Sequence, residues 1–282
     1  MARRLRAIRH ESDRGTWELV RSLPAPGLRR HVVEYEGYVE RGATEGLLRQ
    51  QVPTTVVPLI LNFGSSWAAA DEPGGRRELH DSFVAGLHEH STYVAASGPA
   101  SCVQVNLTPL GAHTLLGAPM SELANRIVSV DAVASTLAPL VDRLEERDSW
   151  ETRFELLDDF LARRLANARE PTDDVAWAWA ALERTDGRTP IGWICDRLGR
   201  SRRHLAARFR DEIGLPPKTV ARIMRFDRAV ARIGGGGTTL AEVAFECGYF
   251  DQAHMNRDFR QFAGMSPAAF APRIAPTAGV VV

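Results

Sequence analysis

Arg202 and Arg203 follow Ser201 directly, and Gln252, Ala253, His254, Asn256 and Arg257 follow Asp251 in the same manner. Amide and guanidinium groups so placed can hydrogen-bond nucleobase edges. Asn or Gln pairs with adenine and Arg with guanine, each good pair discriminating by about 1–3 kcal/mol. The chemistry requires that they emerge from the first turns of a helix behind a capping oxygen, which Ser201 and Asp251 supply. Gln252, Asn256 and Arg257 then share one face at i, i+4 and i+5. Arg210, Arg222 and Arg260 lie further along and suit phosphate, a contact that positions a protein without reading sequence. Arg225 and Arg228 read as structural, pairing with Asp227 or Glu212.

Other residues invite other chemistries. His88 and His90 form an HxH pair, and His113 closes the run Pro109-Leu110-Gly111-Ala112-His113. A metal held by such a set would need a glutamate three or four residues after His90, and Ser91 to Ala95 contain none, so no metal and no cofactor is expected. Zinc-assisted methyl transfer would need four clustered cysteines, but the chain has Cys102, Cys195 and Cys247, widely spread. Cys195 and Cys247 fall on the apolar faces of predicted helices and Cys102 in an apolar strand. All three read as buried thiols of a reducing, cytoplasmic environment. There is no phosphate-cradling glycine loop and no nucleophile elbow; Gly234 to Gly237 follow a helix and act as a stop.

The elements that would position the arginines are written twice. Ile194-Cys195-Asp196-Arg197-Leu198-Gly199 is repeated as Val243-Ala244-Phe245-Glu246-Cys247-Gly248, at an offset of 49. Leu205, Phe209, Gly214 and Pro217 return as Met255, Phe259, Gly264 and Pro267, at an offset of 50. One residue inserted in the turn accounts for the step. Each copy predicts a short apolar-faced helix, a glycine turn, a cap, and a second helix burying two residues at i, i+4. That is the grammar of a helix-turn-helix, whose second helix enters the major groove. Between the copies, 217–233 predicts one longer helix, with Val220, Ile223, Met224, Ala229, Val230 and Ile233 on its apolar side. Held apart by it, the two reading helices would reach successive major grooves, roughly 34 Å apart.

This stretch resembles the DNA-binding domain of AraC-family transcription regulators. The resemblance rests on Ser201, Leu205, Phe209, Gly214, Pro217, Arg225 and Ala229, then Ala244, Gly248-Tyr249, Asp251, His254, Phe259, Gly264, Ser266-Pro267 and Phe270. It implies a seven-helix, two-part DNA reader and places base-reading positions at Arg203, Ala206 and Ala207, and at Gln252, Ala253, Asn256 and Arg257. It also places His254 near the DNA backbone. Ala206 and Ala207 depart from the long polar side chains often found there, which weakens reading by the first copy.

Residues 1 to about 112 predict short strands: Thr54 to Phe63, Ser82 to Leu87, Thr92 to Ala95 and Cys102 to Leu107, divided by Gly and Pro as at Pro73-Gly74-Gly75. Pro53 and Pro58 mark the first of these as an edge candidate. Helical patterns follow at Met120 to Asn125, Ala132 to Glu145 and Glu151 to Ala168. The last carries Phe154, Leu157, Phe160, Leu161 and Leu165 on one face, for the core or for a dimer. Ser82 to Leu87 and Val103 to Ala112, with Leu115-Leu116-Gly117, resemble the β-rich, cupin-like domain that precedes AraC-type readers, which implies a ligand-sensing or dimerising module.

At 282 residues there is room for two domains, and 44% hydrophobic composition is ordinary for a globular chain. Charge is unevenly spread. Thr172 onward carries 16 Lys+Arg against 12 Asp+Glu, and the residues before it 19 against 23. A basic surplus where the repeat lies fits phosphate contact. Lys218 is the sole lysine. The arginine-rich start, Met1 to His10, leads into no apolar stretch, and no apolar run long enough to span a membrane occurs.

The expectation is therefore an α+β chain with three parts. Residues 1–168 form a β-rich barrel or sandwich with trailing helices, 172–273 an all-α tandem helix-turn-helix domain, and 274–282 a disordered tail. It would act on double-stranded DNA without catalysis, with a small-molecule effector or a homodimer as further partner. The alternatives are a cupin-like enzyme carrying an auxiliary DNA-binding domain, and an architectural DNA binder without a ligand.

Overall fold

The structure is a computed structural model that describes residues 4–12, 15–41, 48–72, 74–166, 168–274 and 280–281. Met1 to Arg3, Pro73, and the tail residues 275–279 and 282 lie outside the described residues.

Among the described residues, eleven strands and four α-helices come first. The strands are β1 (Arg6–Ser12), β2 (Gly15–Ser22), β3 (Val32–Arg41), β4 (Arg49–Gln51), β5 (Val57–Asn62), β6 (Trp67–Ala70), β7 (Glu78–His80), β8 (Phe83–Ala85), β9 (Thr92–Ala96), β10 (Ala100–Leu107) and β11 (Ile127–Ser129). The helices are α1 (Pro109–Leu116), α2 (Val130–Ala134), α3 (Ala138–Glu145) and α4 (Trp150–Leu165). Seven helices follow: α5 (Asp173–Glu183), α6 (Ile191–Leu198), α7 (Arg202–Ile213), α8 (Pro217–Gly234), α9 (Leu240–Glu246), α10 (Gln252–Ala263) and α11 (Pro267–Phe270). Val280–Val281 then form β12.

All pairings are antiparallel, in one sheet ordered β1-β2-β3-β10-β5-β8-β11 and a second ordered β12-β4-β9-β6-β7. Period-2 alternation sends β10 side chains to opposite sides. Val103 and Val105 join Leu59 and Leu61 of β5 on the face that packs under α1 and α4. Cys102 joins Ile60, Trp67, Phe83 and Ala96 in a smaller cluster drawn from both sheets.

Three expectations are corrected. β5 is not an edge strand; it lies between β10 and β8, and the β8 ladder engages only Leu59 and Ile60, so it asks no bond of Pro58. The helix expected over Ala132 to Glu145 is broken into α2, a 3-10 turn at Ser135–Leu137 and α3, because Pro139 removes a donor and its ring crowds the preceding turn. In the tail, the backbone of Val280 and Val281 pairs with Gln51 and Gln50 at the edge of the second sheet, where disorder was expected. The stripe of α4 is core: Phe154, Leu157, Leu161 and Leu165 are buried.

One apolar core runs through both halves of the chain. It continues from Val105 and Leu107 through Leu115 of α1 and Met120 into Leu205, Phe209 and Ile213 of α7. Among the described residues no helix is long and apolar enough to cross a membrane.

Candidate nucleic-acid interface

Each copy of the repeat folds as two helices around a glycine turn. Gly199 (φ 62°) and Gly248 (φ 77°) take the left-handed conformation that closes α6 and α9, where a β-carbon would be strained. Ser201 Oγ accepts from the His204 amide at 3.1 Å, and Asp251 Oδ1 from the His254 amide at 2.7 Å. These caps start α7 and α10 at equivalent places. Leu205 and Phe209 in one, Met255 and Phe259 in the other, are fully buried. That burial fixes the rotation of each helix about its axis and so decides which residues face out.

On α7 the outward residues are Arg202, Arg203, His204, Ala207 and Arg210, with Ala206 half-buried. On α10 they are Gln252, Ala253, Arg257 and Arg260, while His254 and Asn256 are half-buried. Among the described residues, Arg203, Arg210, Arg257 and Arg260 form no ion pair. The repeat sets Arg203 against Ala253 and Ala207 against Arg257, so α7 and α10 each carry an arginine in their first turns, one turn further along in the second. Arg202 instead folds back toward α6: a β-carbon on Gly192 would lie 3.0 Å from its Nη2. His254 stacks edge-on against Tyr249, with ring centroids 5.2 Å apart. Asn256 Oδ1 is buried without a hydrogen-bond partner among the described residues, so this side chain is turned partly inward from the face expected for it.

α8 joins the copies. Its 18 residues span about 27 Å at 1.5 Å each. Phe226, on α8, packs edge-on against Phe259 and Phe262 of α10, at 4.8 and 5.3 Å between centroids. Arg222 is not free for phosphate. It donates to Asp258 Oδ1 at 2.7 Å and to Gln261 Oε1 at 2.6 Å, because the buried Asp258 carboxylate needs a counter-charge. Arg225 and Arg228 are structural, but with other partners than expected. Arg225 donates to the Gly187 carbonyl at 2.8 Å and Arg228 pairs with Asp186, both tying α8 to the turn after α5. Glu212 is buried and held by Arg208 at 2.7 Å and by the Thr172 amide at 2.8 Å. Asp227 faces a cleft of about 270 Å³ lined also by Thr55, Glu183, Asp186, Met224, Arg228 and Ala231. Burial raises its carboxyl to about 6.

The sheet half packs against both α7 and α10. α7 rests on α1 and on the 3-10 turn Met120–Glu122 by apolar contact. The last turn of α10 is held by the buried side chains of Gln50 and Ser91.

A second surface lies on the β3–β10 face. The row of Tyr38 and Cys102, apolar where the second sheet covers it, becomes Glu36 and Gln104, then Glu34 and Asn106. Arg21 pairs with Glu36 at 2.8 Å, and Gln104 Nε2 donates to Asn106 Oδ1 at 2.7 Å. Burial pushes the Glu36 carboxyl up, against the pull of Arg21. The His88 and His90 rings meet edge-on, with centroids 5.8 Å apart. His88 Nδ1 lies 2.7 Å from the Gly86 carbonyl, and His90 Nε2 lies 3.7 Å from Asp71. Among the described residues no three or more His, Cys, Asp or Glu are placed to hold a metal ion. Burial pushes the Cys102 thiol up to about 12, the reverse of an activated nucleophile.

Comparison with known proteins supplies what geometry leaves open. Residues 194–273 match the family model described as a helix-turn-helix domain (HTH_18). An AraC-like transcription regulator of Streptomyces lividans is 30% identical over 107 residues, 38% of this chain and 34% of that protein. Residues 194–273 are a helix-turn-helix domain, similar to part of an AraC-like regulator. The chain spans about a third of the length of that curated relative. Ahead of the helix-turn-helix domain, residues 20–129 match a model described as a domain of unknown function (DUF6597). Among solved structures, ToxT from Vibrio cholerae is similar at TM-score 0.47 and 12% identity, covering 84% of this chain and 97% of that one. The DNA-binding domain of AdpA in complex with a target DNA is similar at TM-score 0.33 and 28% identity, covering 36% and 92%.

Proposed function

We propose that this protein is a sequence-specific transcription regulator. Residues 172–273 would read double-stranded DNA, and residues 1–168 would sense a small molecule or join two copies. The observation that carries the reading is the pair of capped helices, α7 and α10, whose matching outward faces hold Arg203, Arg210, Arg257 and Arg260 without ion pairs among the described residues. Set in adjacent major grooves, the helices read bases through Arg203 on one side and through Gln252 and Arg257 on the other. Arg210 and Arg260, a turn or more from the caps, meet phosphate. The partly buried polar row of Glu36, Gln104, Asn106 and Arg21 gives the sheet half hydrogen-bonding groups for an effector. A bound effector alters DNA affinity only if it distinguishes two arrangements of the halves, and the buried contacts behind α7 and α10 are where those arrangements would differ.

The test is a salt titration of binding to a labelled promoter duplex from the source genome. Each neutralised phosphate contributes about −0.9 to the log–log slope, so phosphate contact by Arg210 and Arg260 predicts a slope near −2. A slope near zero overturns multi-phosphate binding and the reading with it.

A further inference from the structure

The N-terminus of α10 carries an aromatic ring that the fold does not use. Phe250 directly precedes the cap Asp251 and is 92% exposed. A hydrophobic residue at this position ordinarily packs on the fourth residue of the helix, stapling the entering chain to it. Here that fourth residue is Met255, fully buried with Phe259 in the core, and no staple covers the ring. The main chain that carries the ring is tied to the first turn of α10: the Phe250 amide lies 3.5 Å from His254 Nδ1, and that imidazole is packed against Tyr249. The first copy provides an internal comparison. Its equivalent residue, Arg200, pairs with Asp174 at 2.6 Å and is spent inside the domain.

We propose that Phe250 is a specificity-determining residue of the second reading unit, placing its ring against the methyl group of a thymine in the major groove. The proposal rests on the DNA-binding reading above. The surroundings favour this occupant over a protein surface. The exposed residues along α10 are Gln252, Ala253, Arg257, Arg260 and Gln261, polar or cationic except for one methyl, and the other exposed ring of this unit, Phe245, belongs to α9. A protein partner recognising Phe250 would need further apolar area beside it. A major groove lined by phosphates offers a lone apolar target, the C5-methyl of thymine, within reach of donors that read neighbouring bases. Phe250 thus supplies recognition that hydrogen bonds cannot, since methyl removal leaves every donor and acceptor of the pair in place.

The full chain is used to select a preferred duplex from a randomised pool, and each thymine in it is replaced in turn by deoxyuridine. One thymine is expected to matter, its methyl removal weakening the wild type on the order of three- to tenfold. Phe250→Ala should bind the thymine and deoxyuridine duplexes alike, and Phe250→Leu should keep part of the discrimination. The ring is solvent-exposed, so both variants keep the fold, checked by thermal unfolding. Discrimination that survives in Phe250→Ala, or selective binding with no methyl-sensitive thymine, overturns this proposal alone. So does a change in oligomeric state with Phe250→Ala in light scattering. Absence of any duplex binding overturns it together with the reading beneath it.

Discussion

The side-chain amide of Gln50 donates to the carbonyl of Ala263, 3.0 Å away in space and 213 residues along the chain. Ser91 Oγ donates to the Phe262 carbonyl at 2.8 Å and itself accepts from Gln50 Nε2 at 2.8 Å. The final carbonyls of a helix lack partners within it, and these two would be buried without any. The sheet half therefore completes the last turn of the second reading helix.

Gln50→Ala removes that donor and leaves the Ala263 carbonyl and Ser91 each one bond short. The expected cost is about 1–3 kcal/mol, the range for a buried group left unsatisfied. Urea denaturation of Gln50→Ala, Ser91→Ala and the double variant should show non-additive losses, since the two side chains share a hydrogen bond. Additive or negligible losses would mean that water replaces both.

Arg222→Ala should destabilise the protein and leave base preference unchanged. Its side chain is 24% exposed and its partner Asp258 only 2%. Removing one member of such a pair leaves a buried charge, at about 3–5 kcal/mol for fully buried pairs and less here because Arg222 is partly solvated. Denaturation midpoints and base preference, measured on the same variant, separate this role from phosphate contact.

Asp227 predicts a pH dependence of known sign. Its folded value is raised from 3.8 to about 6, so folding favours the protonated form. The group is protonated in both states below about 4. Between about 4 and 6 the native state holds the proton longer than the unfolded chain, and stability falls as pH rises. Asp227→Asn should match the wild type near pH 4 in urea midpoint and exceed it by a growing margin up to about pH 6, constant beyond. A margin that shrinks as pH rises would contradict the burial argument.

Arg257→Ala and Arg260→Ala should differ in kind. Loss of Arg257 should relax preference at one base pair, with about 1–3 kcal/mol lost on the preferred sequence. Loss of Arg260 should weaken all sequences alike and reduce the salt slope by about 1. Competition binding with a library of single-base variants distinguishes the outcomes.

Most of the C-terminal architecture was legible because it rests on local rules. Glycine turns, caps and i, i+4 apolar pairs specify α6, α7, α9 and α10 from neighbouring residues alone, and the duplication states the rule twice. The sheet half was legible as strands and not as a sheet: Pro58 looks like an edge residue until β10 and the short ladder of β8 are known to flank it. α1 was missed because Pro109-Leu110-Gly111 reads as punctuation, although Thr108 and Pro109 are a cap and a first-turn proline. Arginine partners were legible in kind and not in identity. Arg228 meets Asp186 rather than Asp227 or Glu212, since a turn 42 residues away comes back beside α8. For Phe250 the sequence signal is its position one residue before the cap Asp251.

The staggered placement of guanidinium groups, at Arg203 in one unit and a turn later at Arg257 in the other, reaches beyond the protein to the duplex. If Arg203 and Arg257 both read bases, a site engaged by both units would have unlike ends, neither a palindrome nor a direct repeat, and even one molecule bound there would distinguish upstream from downstream.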